Sequence, residues 1–269
     1  MPHGTLLATA DQTAGRGRAG RGWEMPPGTA IAMSLLLRGA GTGGPGDAGG
    51  GRTGRGALAT GAPSDASPPP LGPSWLPLLA GSAVIAALQP LFPAELGLRV
   101  GTKWPNDVHV RDEEDAQAGR PGLKLCGILC EIVDSGREGE APAVVAGIGL
   151  NVNQRAGEYP EPLRPVATSL FLETGCRWSR RLLLGHLLAQ LEELYRDWRG
   201  NGFAGVRREW IARSATLGRR VCLDQGPGRI EGEAWSLDRD GALLVRDDVG
   251  VVHRVDSGEI HGPSSADDT

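Results

Sequence analysis

Between Gln12 and Glu24 the chain reads QTAGRGRAGRGWE, with Arg16, Arg18 and Arg21 set among Gly15, Gly17, Gly20 and Gly22. Glycine lets backbone amides approach a ligand closely, and guanidinium forks match phosphate oxygens in charge and shape. The spacing points to a loop that holds a phosphate. So many glycines cost conformational entropy when they order, which favours a ligand over a merely solvated turn. An RNA-contacting arginine–glycine segment is the competing reading; the loop is short and the chain is acidic overall, with a net charge of −4.

Three further segments carry chemistry. TKWPNDV places Lys103, Trp104, Asn106 and Asp107 around Pro105, which fixes its own φ and restricts Trp104 before it. Either this is a strand end followed by an Asn-Asp turn, or it is a rigid corner presenting an amide and a carboxylate to a ligand or to Mg²⁺. Lys124 leads the apolar run LKLCGILCEIV. A period of two gives it a face shared with Cys126, Ile128 and Cys130. It is either a snorkelling strand-end lysine or a cation at a cleft edge that neutralises a reacting phosphate, with Gly127 allowing close approach in mid-strand. GIGLNVN holds Gly147, Gly149, Asn151 and Asn153 but forms neither a dinucleotide fingerprint nor a P-loop.

Length and composition bound these readings. The 269 residues suffice for one sizeable domain and a small one. The 40% apolar content fits a globular protein, and a net charge of −4 excludes a global basic field for nucleic acid. Cys126, Cys130, Cys176 and Cys222 suggest neither a disulfide framework nor a zinc site, and read as structural thiols. No signal-peptide pattern and no apolar span of about 18 residues occurs, so a cytoplasmic protein without a membrane partner is expected.

These residues need elements to position them. GTLLATADQ, TAIAMSLLLR and AVVAGIGLNVN read as strands. So do LRVGTKWPNDVHV and LKLCGILCEIV, a long hairpin joined by the polar RDEEDAQAGRPG. SWLPLLAGSAVIAALQPLF is a helix apolar on nearly every face, hence buried against a sheet. SRRLLLGHLLAQLEELYRDW is a helix with Ser179 as its N-cap and Gly200 as its stop, and GVRREWIARSA is another. Neighbouring strands in this order predict an α+β fold with a mixed sheet. Residues 39–74 form a Gly/Pro-rich insertion expected to be disordered. From 214 to 262, short alternating runs broken by Asp-Gly turns predict a small SH3-like β-barrel, followed by a polar tail at 263–269. The remaining 1–213 form the expected ligand-binding domain.

GRGRAGRGW, KWPNDV, KLCGILCE and GIGLNVN, in that order, together resemble the biotin protein ligases. The resemblance extends over nearly the whole chain. It implies a catalytic domain related to class II aminoacyl-tRNA synthetases, followed by an SH3-like domain. It further implies that biotin and ATP give biotinyl-5′-AMP and pyrophosphate, and that biotin then passes to a lysine of a biotin carboxyl carrier protein. By the same resemblance, Gln12 and the backbone at Gly15 and Arg16 contact the ureido end of biotin. Arg18 covers the adenylate phosphoryl group, with Arg21 in support, and Trp23 stacks on adenine. Asn106 and Asp107 lie by the phosphates or Mg²⁺, and Asp107 orients the incoming lysine. Lys124 binds the carboxylate and the α-phosphate. Gly127, Gly147, Gly149 and Asn151 shape the biotin pocket and the nucleotide floor.

Family members begin with a strand and helix carrying a Ser-Thr-Asn segment, whereas this sequence starts just before the Gly/Arg loop. The expectation is therefore a pocket short of one wall. The alternative to an active ligase is an N-terminally truncated, inactive homologue that binds biotin or nucleotide. A lipoate or octanoyl transferase of related fold is a third reading, opposed by the Gly/Arg loop with Trp23. No helix-turn-helix region is expected, hence no nucleic-acid partner. Monomer and homodimer both remain open.

Overall fold

The computed structural model describes residues 1–38, 74–92, 99–117, 120, 122–133, 142–225 and 228–261. All of the Gly/Pro-rich insertion except Ser74, and the whole 263–269 tail, lie outside the described residues. In chain order the N-terminal strands are β1 (Thr5–Thr9), β2 (Gly15–Arg16), β3 (Gly22–Trp23) and β4 (Ala30–Arg38). After α1 (Leu76–Leu88) come β5 (Val100–Lys103), β6 (Asp107–Val110), α2 (Glu113–Gln117), β7 (Leu123–Val133) and β8 (Ala143–Asn151). Three helices follow, α3 (Leu170–Thr174), α4 (Arg180–Asn201) and α5 (Ala204–Ala212). The last strands are β9 (Arg220–Gln225), β10 (Gly228–Leu237), β11 (Leu243–Arg246), β12 (Val252–Val255) and β13 (Ile260–His261).

The main sheet has the order β1–β4–β8–β7–β6–β5. Its strand pairs are antiparallel, and its mixed character comes from single parallel bridges, Thr102 to Ser214 and Lys124 to Ala167. The run LRVGTKWPNDVHV is two strands, not one. The corner at Trp104–Asn106, with a cis Trp104–Pro105 bond, folds β5 back on β6 so that Lys103 pairs with Asp107. Proline has no N–H to continue a ladder. The polar segment after β6 joins it antiparallel to β7 and includes α2.

One face of the sheet packs on α1, whose residues are buried all round apart from Ala86. A helix apolar on every side belongs between layers, and α1 has the sheet beneath it and α4 and α5 above. Gly81 sits among Ile128, Thr102 and Val108, where a Cβ would reach ordinary contact at 3.7–3.8 Å. Trp75 stacks on Trp198 of α4 at 4.1 Å between centroids. Along α4 the residues Leu183, Leu187, Leu191 and Trp198 bury one stripe. The Ser179 hydroxyl accepts from Leu182 N at the N-terminus, as expected of a cap. The helix ends beyond the expected Gly200: it runs to Asn201, and Gly202 takes the left-handed turn at φ +71°.

The C-terminal strands form a second antiparallel sheet, β12–β11–β10–β9–β13. Its apolar side joins the same core through Leu223, Leu237, Leu243 and Val255. Trp104 stitches the two sheets together, its N–H donating to Thr216 Oγ1 (2.9 Å) and its indole N–H to the Gly241 carbonyl (3.2 Å). Leu187→Ala removes a side chain that is 1% exposed at the α1–α4 contact. It is expected to cost about 2–5 kcal/mol, read as a lower denaturation midpoint with an unchanged m-value.

Candidate active site

The face of the sheet away from α1 carries a trough of small residues. Strand register sets Asp107, Gly127, Gly149, Ala32 and Thr9 in one row across β6, β7, β8, β4 and β1. Leu129, Gly147, Ser34 and Leu7 make the next. Over this floor lies a cleft of about 560 Å³, within the size range of small-molecule sites. Two of the glycines seat an aromatic ring. A Cβ on Gly149 would lie 2.5 Å from the Trp23 indole, and one on Gly127 would lie 3.0 Å from it. Trp23 also packs on Met25, Ala30 and Ala32, and its buried Nε1 has no hydrogen-bond partner among the described residues.

Lys124 is not on the face that a period of two assigns to it. Cys126 and Ile128 point into the core, with Cys130 packed against it, while Lys124 Cε and Nζ lie over Gly127 on the cleft side. The cause is a β-bulge. Val108 pairs with Cys126, but the next residue, His109, pairs with Lys124, so Leu125 is the extra residue. Lys124 Nζ then meets Asp107 Oδ1 at 2.7 Å, and His109 Nε2 lies 3.8 Å from the other Asp107 oxygen. Burial alone would raise the Asp107 carboxyl, but His109 and Lys124 hold it down to about 2. Burial also lowers His109, against the pull of Asp107, and favours the neutral ring.

The Gly/Arg loop closes one side of the cleft. Gly15 pairs with Trp23 and Arg16 with Gly22 in a two-residue ladder. Gly17 N–H donates to Arg21 O (2.7 Å), and Ala19 and Gly20 take left-handed φ values of +54° and +73°. Arg18 Nη1 donates to Asn106 Oδ1 at 3.2 Å, and the Asn106 amide donates to Ile128 O at 2.6 Å. Arg21 pairs with Glu259 of the C-terminal sheet at 2.5 Å. Burial lowers both Arg18 and Lys103, each opposed by Asp107.

Gln12, Arg16, Arg18, Arg21, Trp23, Asn106, Asp107, Lys124, Gly127, Gly147, Gly149 and Asn151 all line this one cleft. Gly15 lies behind the lining, where a Cβ would meet Trp23 O at 2.5 Å. The Asn151 side chain is committed to the wall, donating to Thr168 O (2.9 Å) and accepting from Gln154 Nε2 (2.8 Å). Lys103, named in the sequence beside Asp107, lines the cleft as well; His109, Ser34 and Glu259 also belong to it and were not singled out in the sequence. Alternation from Asp107 could have found His109; Glu259 lies 238 residues from its partner and gives no local signal. The residues do not fit a resident Mg²⁺ on Asp107. Its carboxylate is ion-paired with Lys124, and no cluster of three or more His, Cys, Asp or Glu suited to a metal occurs among the described residues.

Residues 216–261 match the family described as the biotin protein ligase C terminal domain. A biotin–[acetyl-CoA-carboxylase] ligase of Mycobacterium tuberculosis is 35% identical over 251 residues, 92% of this chain and 74% of that protein. The bifunctional ligase/repressor BirA of Bacillus spizizenii is 30% identical over 250 residues. That alignment takes in 93% of this chain, which spans 64% of the length of that relative. Among solved structures, the biotin protein ligase from Aquifex aeolicus in complex with biotin and ATP matches with a TM-score of 0.70 at 27% identity, over 97% of this chain and 89% of that one. An α+β domain with a glycine-floored, cation-lined cleft and a small β unit behind it is thus an arrangement with known relatives. The chain belongs to the biotin protein ligase family.

Gly149→Val drives a side chain into the Trp23 seat and is expected to destabilise the fold by about 1–3 kcal/mol, with Trp23→Ala in the same background relieving much of that loss in denaturation midpoints. A carboxyl held below its ordinary 3.8 stabilises the fold above that pH and releases the stabilisation as pH falls towards 2. The stability gap between the chain and its Asp107→Asn variant is therefore expected to be constant above about pH 4 and to narrow on acidification.

Proposed function

We propose that the chain is a biotin–protein ligase. It joins biotin to ATP as biotinyl-5′-AMP, releases pyrophosphate, and passes the biotinyl group to one lysine of a biotin carboxyl carrier protein. The observation that carries this reading is the convergence of Lys124, Arg18 and Arg16 on a single cleft floored by Gly127, Gly147 and Gly149, in a chain that resembles a ligase solved with biotin and ATP.

In the first step a carboxylate oxygen of biotin bonds to the α-phosphorus, and the bond from that phosphorus to the leaving pyrophosphate breaks. Two anions must meet, so fixed cations that neutralise the developing charge supply most of the catalysis. Lys124 is placed for this: leaving Asp107 for the new anion costs little reach, because all three share one face. Arg18, steadied by Asn106, covers the phosphoryl group, and Arg21 supports the loop from the Glu259 side. Gln12 with the backbone at Gly15 and Arg16 holds the ureido end. Trp23, seated on Gly127 and Gly149, stacks on adenine. Mg²⁺ would come as part of the ATP substrate and would supply charge neutralisation at the reacting phosphates. Asn151 acts by holding the wall through Thr168 and Gln154.

In the second step the carrier lysine attacks the acyl carbon and AMP leaves. Once Lys124 has turned to the phosphate, the Asp107 carboxylate is open to accept a hydrogen bond from the incoming lysine and to orient it. The lysine attacks as the neutral amine, having left one proton in solvent, and the N–H proton released on amide formation goes to the departing AMP phosphate. The mixed anhydride must be shielded from water until then, which the Gly/Arg loop does by lying over it. Four free thiols support a reducing compartment, the cytoplasm. No helix among the described residues is long and apolar enough to cross a membrane.

The test is biotin-dependent ATP–pyrophosphate exchange with Mg²⁺. Exchange is expected from the chain, and Lys124→Ala is expected to lower it about 10²–10³-fold while far-UV circular dichroism is unchanged. A wild-type chain that binds biotin but shows no exchange would sink the ligase reading.

A further inference from the structure

We propose that His109 is a positioning residue: buried on β6 opposite Lys124, it holds the bulge that turns this lysine into the cleft. The proposal rests on the ligase reading only where activity is its readout; its geometric content is independent.

Register states what the bulge does. On β6 the cleft-facing residues are Asp107 and His109, while Val108 and Val110 belong to the core. Asp107 faces Gly127 across the ladder, and Val108 faces Cys126. Regular pairing would then set Leu125 opposite His109, with its side chain in the cleft, and Lys124 one step on, pointing under α1. The extra residue puts Lys124 opposite His109 instead, and Leu125, 0% exposed, goes into the core. One inserted residue thus exchanges a leucine for a lysine at the one position where the cleft needs a cation.

His109 touches what defines that bulge. Its ring is 4% exposed. Nδ1 donates to the Gly122 carbonyl at 3.0 Å, two residues before Lys124. Gly122 takes φ +75°, and a Cβ there would lie 2.1 Å from Val110 O, so this turn is held tightly against β6. With Nδ1 donating, Nε2 is the bare nitrogen and makes no bond to the Asp107 carboxylate 3.8 Å away, so Asp107 is left to hold Lys124 Nζ. On its far side the Lys124 backbone is clamped by Val166 and Thr168, through Lys124 N–H to Val166 O (2.8 Å) and Thr168 N–H to Lys124 O (2.9 Å). His109 supplies the near side. Packing alone does not explain an imidazole here. Its Nε2 is buried with no hydrogen bond among the described residues, a cost that a leucine would avoid.

The experiment compares His109→Leu, which loses the hydrogen bond to Gly122, with His109→Asn, whose amide keeps a donor near the Nδ1 position. The first readout needs no ligase activity: the rate at which acetic anhydride acylates Lys124 in the folded chain, followed by mass spectrometry. Asp107→Asn frees the lysine and is expected to speed labelling. His109→Leu is expected to speed it similarly, His109→Asn to restore most of the wild-type rate, and Asp107→Asn added to His109→Leu to change nothing further. In exchange assays His109→Leu is expected to lower kcat about 10–100-fold, because the lysine has moved, and His109→Asn to recover most of it. If His109→Leu does not fold, His109→Gln, which lacks a donor at Nδ1, takes its place with the same expected labelling. Wild-type labelling in both variants, or full additivity with Asp107→Asn, overturns the proposal. A wild-type chain without exchange but with the stated labelling pattern overturns the ligase reading and leaves this one standing.

Discussion

The site depends on one irregularity in one strand. Side chains of a strand alternate between faces, so LKLCGILCEIV, left regular, would deliver Lys124 to the same side as Cys126 and Ile128. The bulge at Leu125 breaks the alternation between Lys124 and Cys126 and leaves everything after it undisturbed, so Cys126, Ile128 and Cys130 still fill the core. Both requirements, an apolar layer under α1 and a cation over the floor, are met within three residues. Burial pushes the Cys130 thiol up to about 12 and Cys126 further still, as befits side chains that serve as core filler.

Around that point the fold supplies rigidity from behind. The floor of the cleft is the reverse side of the sheet that α1 covers, and α1 is itself clamped by α4 and α5 through the Trp75–Trp198 stack. A trough of glycine, alanine and serine is weak as a strand face, since it offers little side chain to pack. It is tolerable here because the opposite face carries the burial. The C-terminal sheet adds a second brace: Trp104, fully buried at the corner before Asp107, reaches it through Thr216 and Gly241. The carboxylate that partners Lys124 is therefore anchored from a unit more than 100 residues away in sequence.

Much of this was legible in residue types and much was not, and the division is physical. Strands and helices with strong periodicity, such as β4, β8, α1 and α4, follow from pattern, and Ser179 caps as its hydroxyl predicts. The Gly/Arg loop, Asp107, Lys124 and the glycines of β7 and β8 were recognisable as a set, and the structure gathers them. What pattern misjudged was the face of Lys124, because a bulge inserts one residue without any glycine or proline to announce it. What it overlooked was His109, an ordinary-looking residue in an alternating strand, and Glu259, whose partner only the tertiary fold reveals. Gly127 and Gly149 line the cleft and also seat Trp23, the second a fact visible only once β3 is folded over the sheet.

The strengths of the loop's attachments decide how it would serve the proposed reaction, with its two substrates and its macromolecular acceptor. Its ladder is only two residues long. The Arg21–Glu259 pair is half exposed on both sides, and such pairs contribute about 0–1 kcal/mol. The Arg18–Asn106 bond is a single contact at 3.2 Å. These ties are short-range and polar, and under the proposed reaction they would let the segment from Arg16 to Gly22 open for its substrates. Trp23, by contrast, lies in a seat built from two glycines, Met25, Ala30 and Ala32, and stays as the hinge side. A loop anchored by a buried indole at one end and tied by weak polar contacts along its length can part to admit anions, re-form over them, and part again, with the position of Lys124 beneath it unaltered.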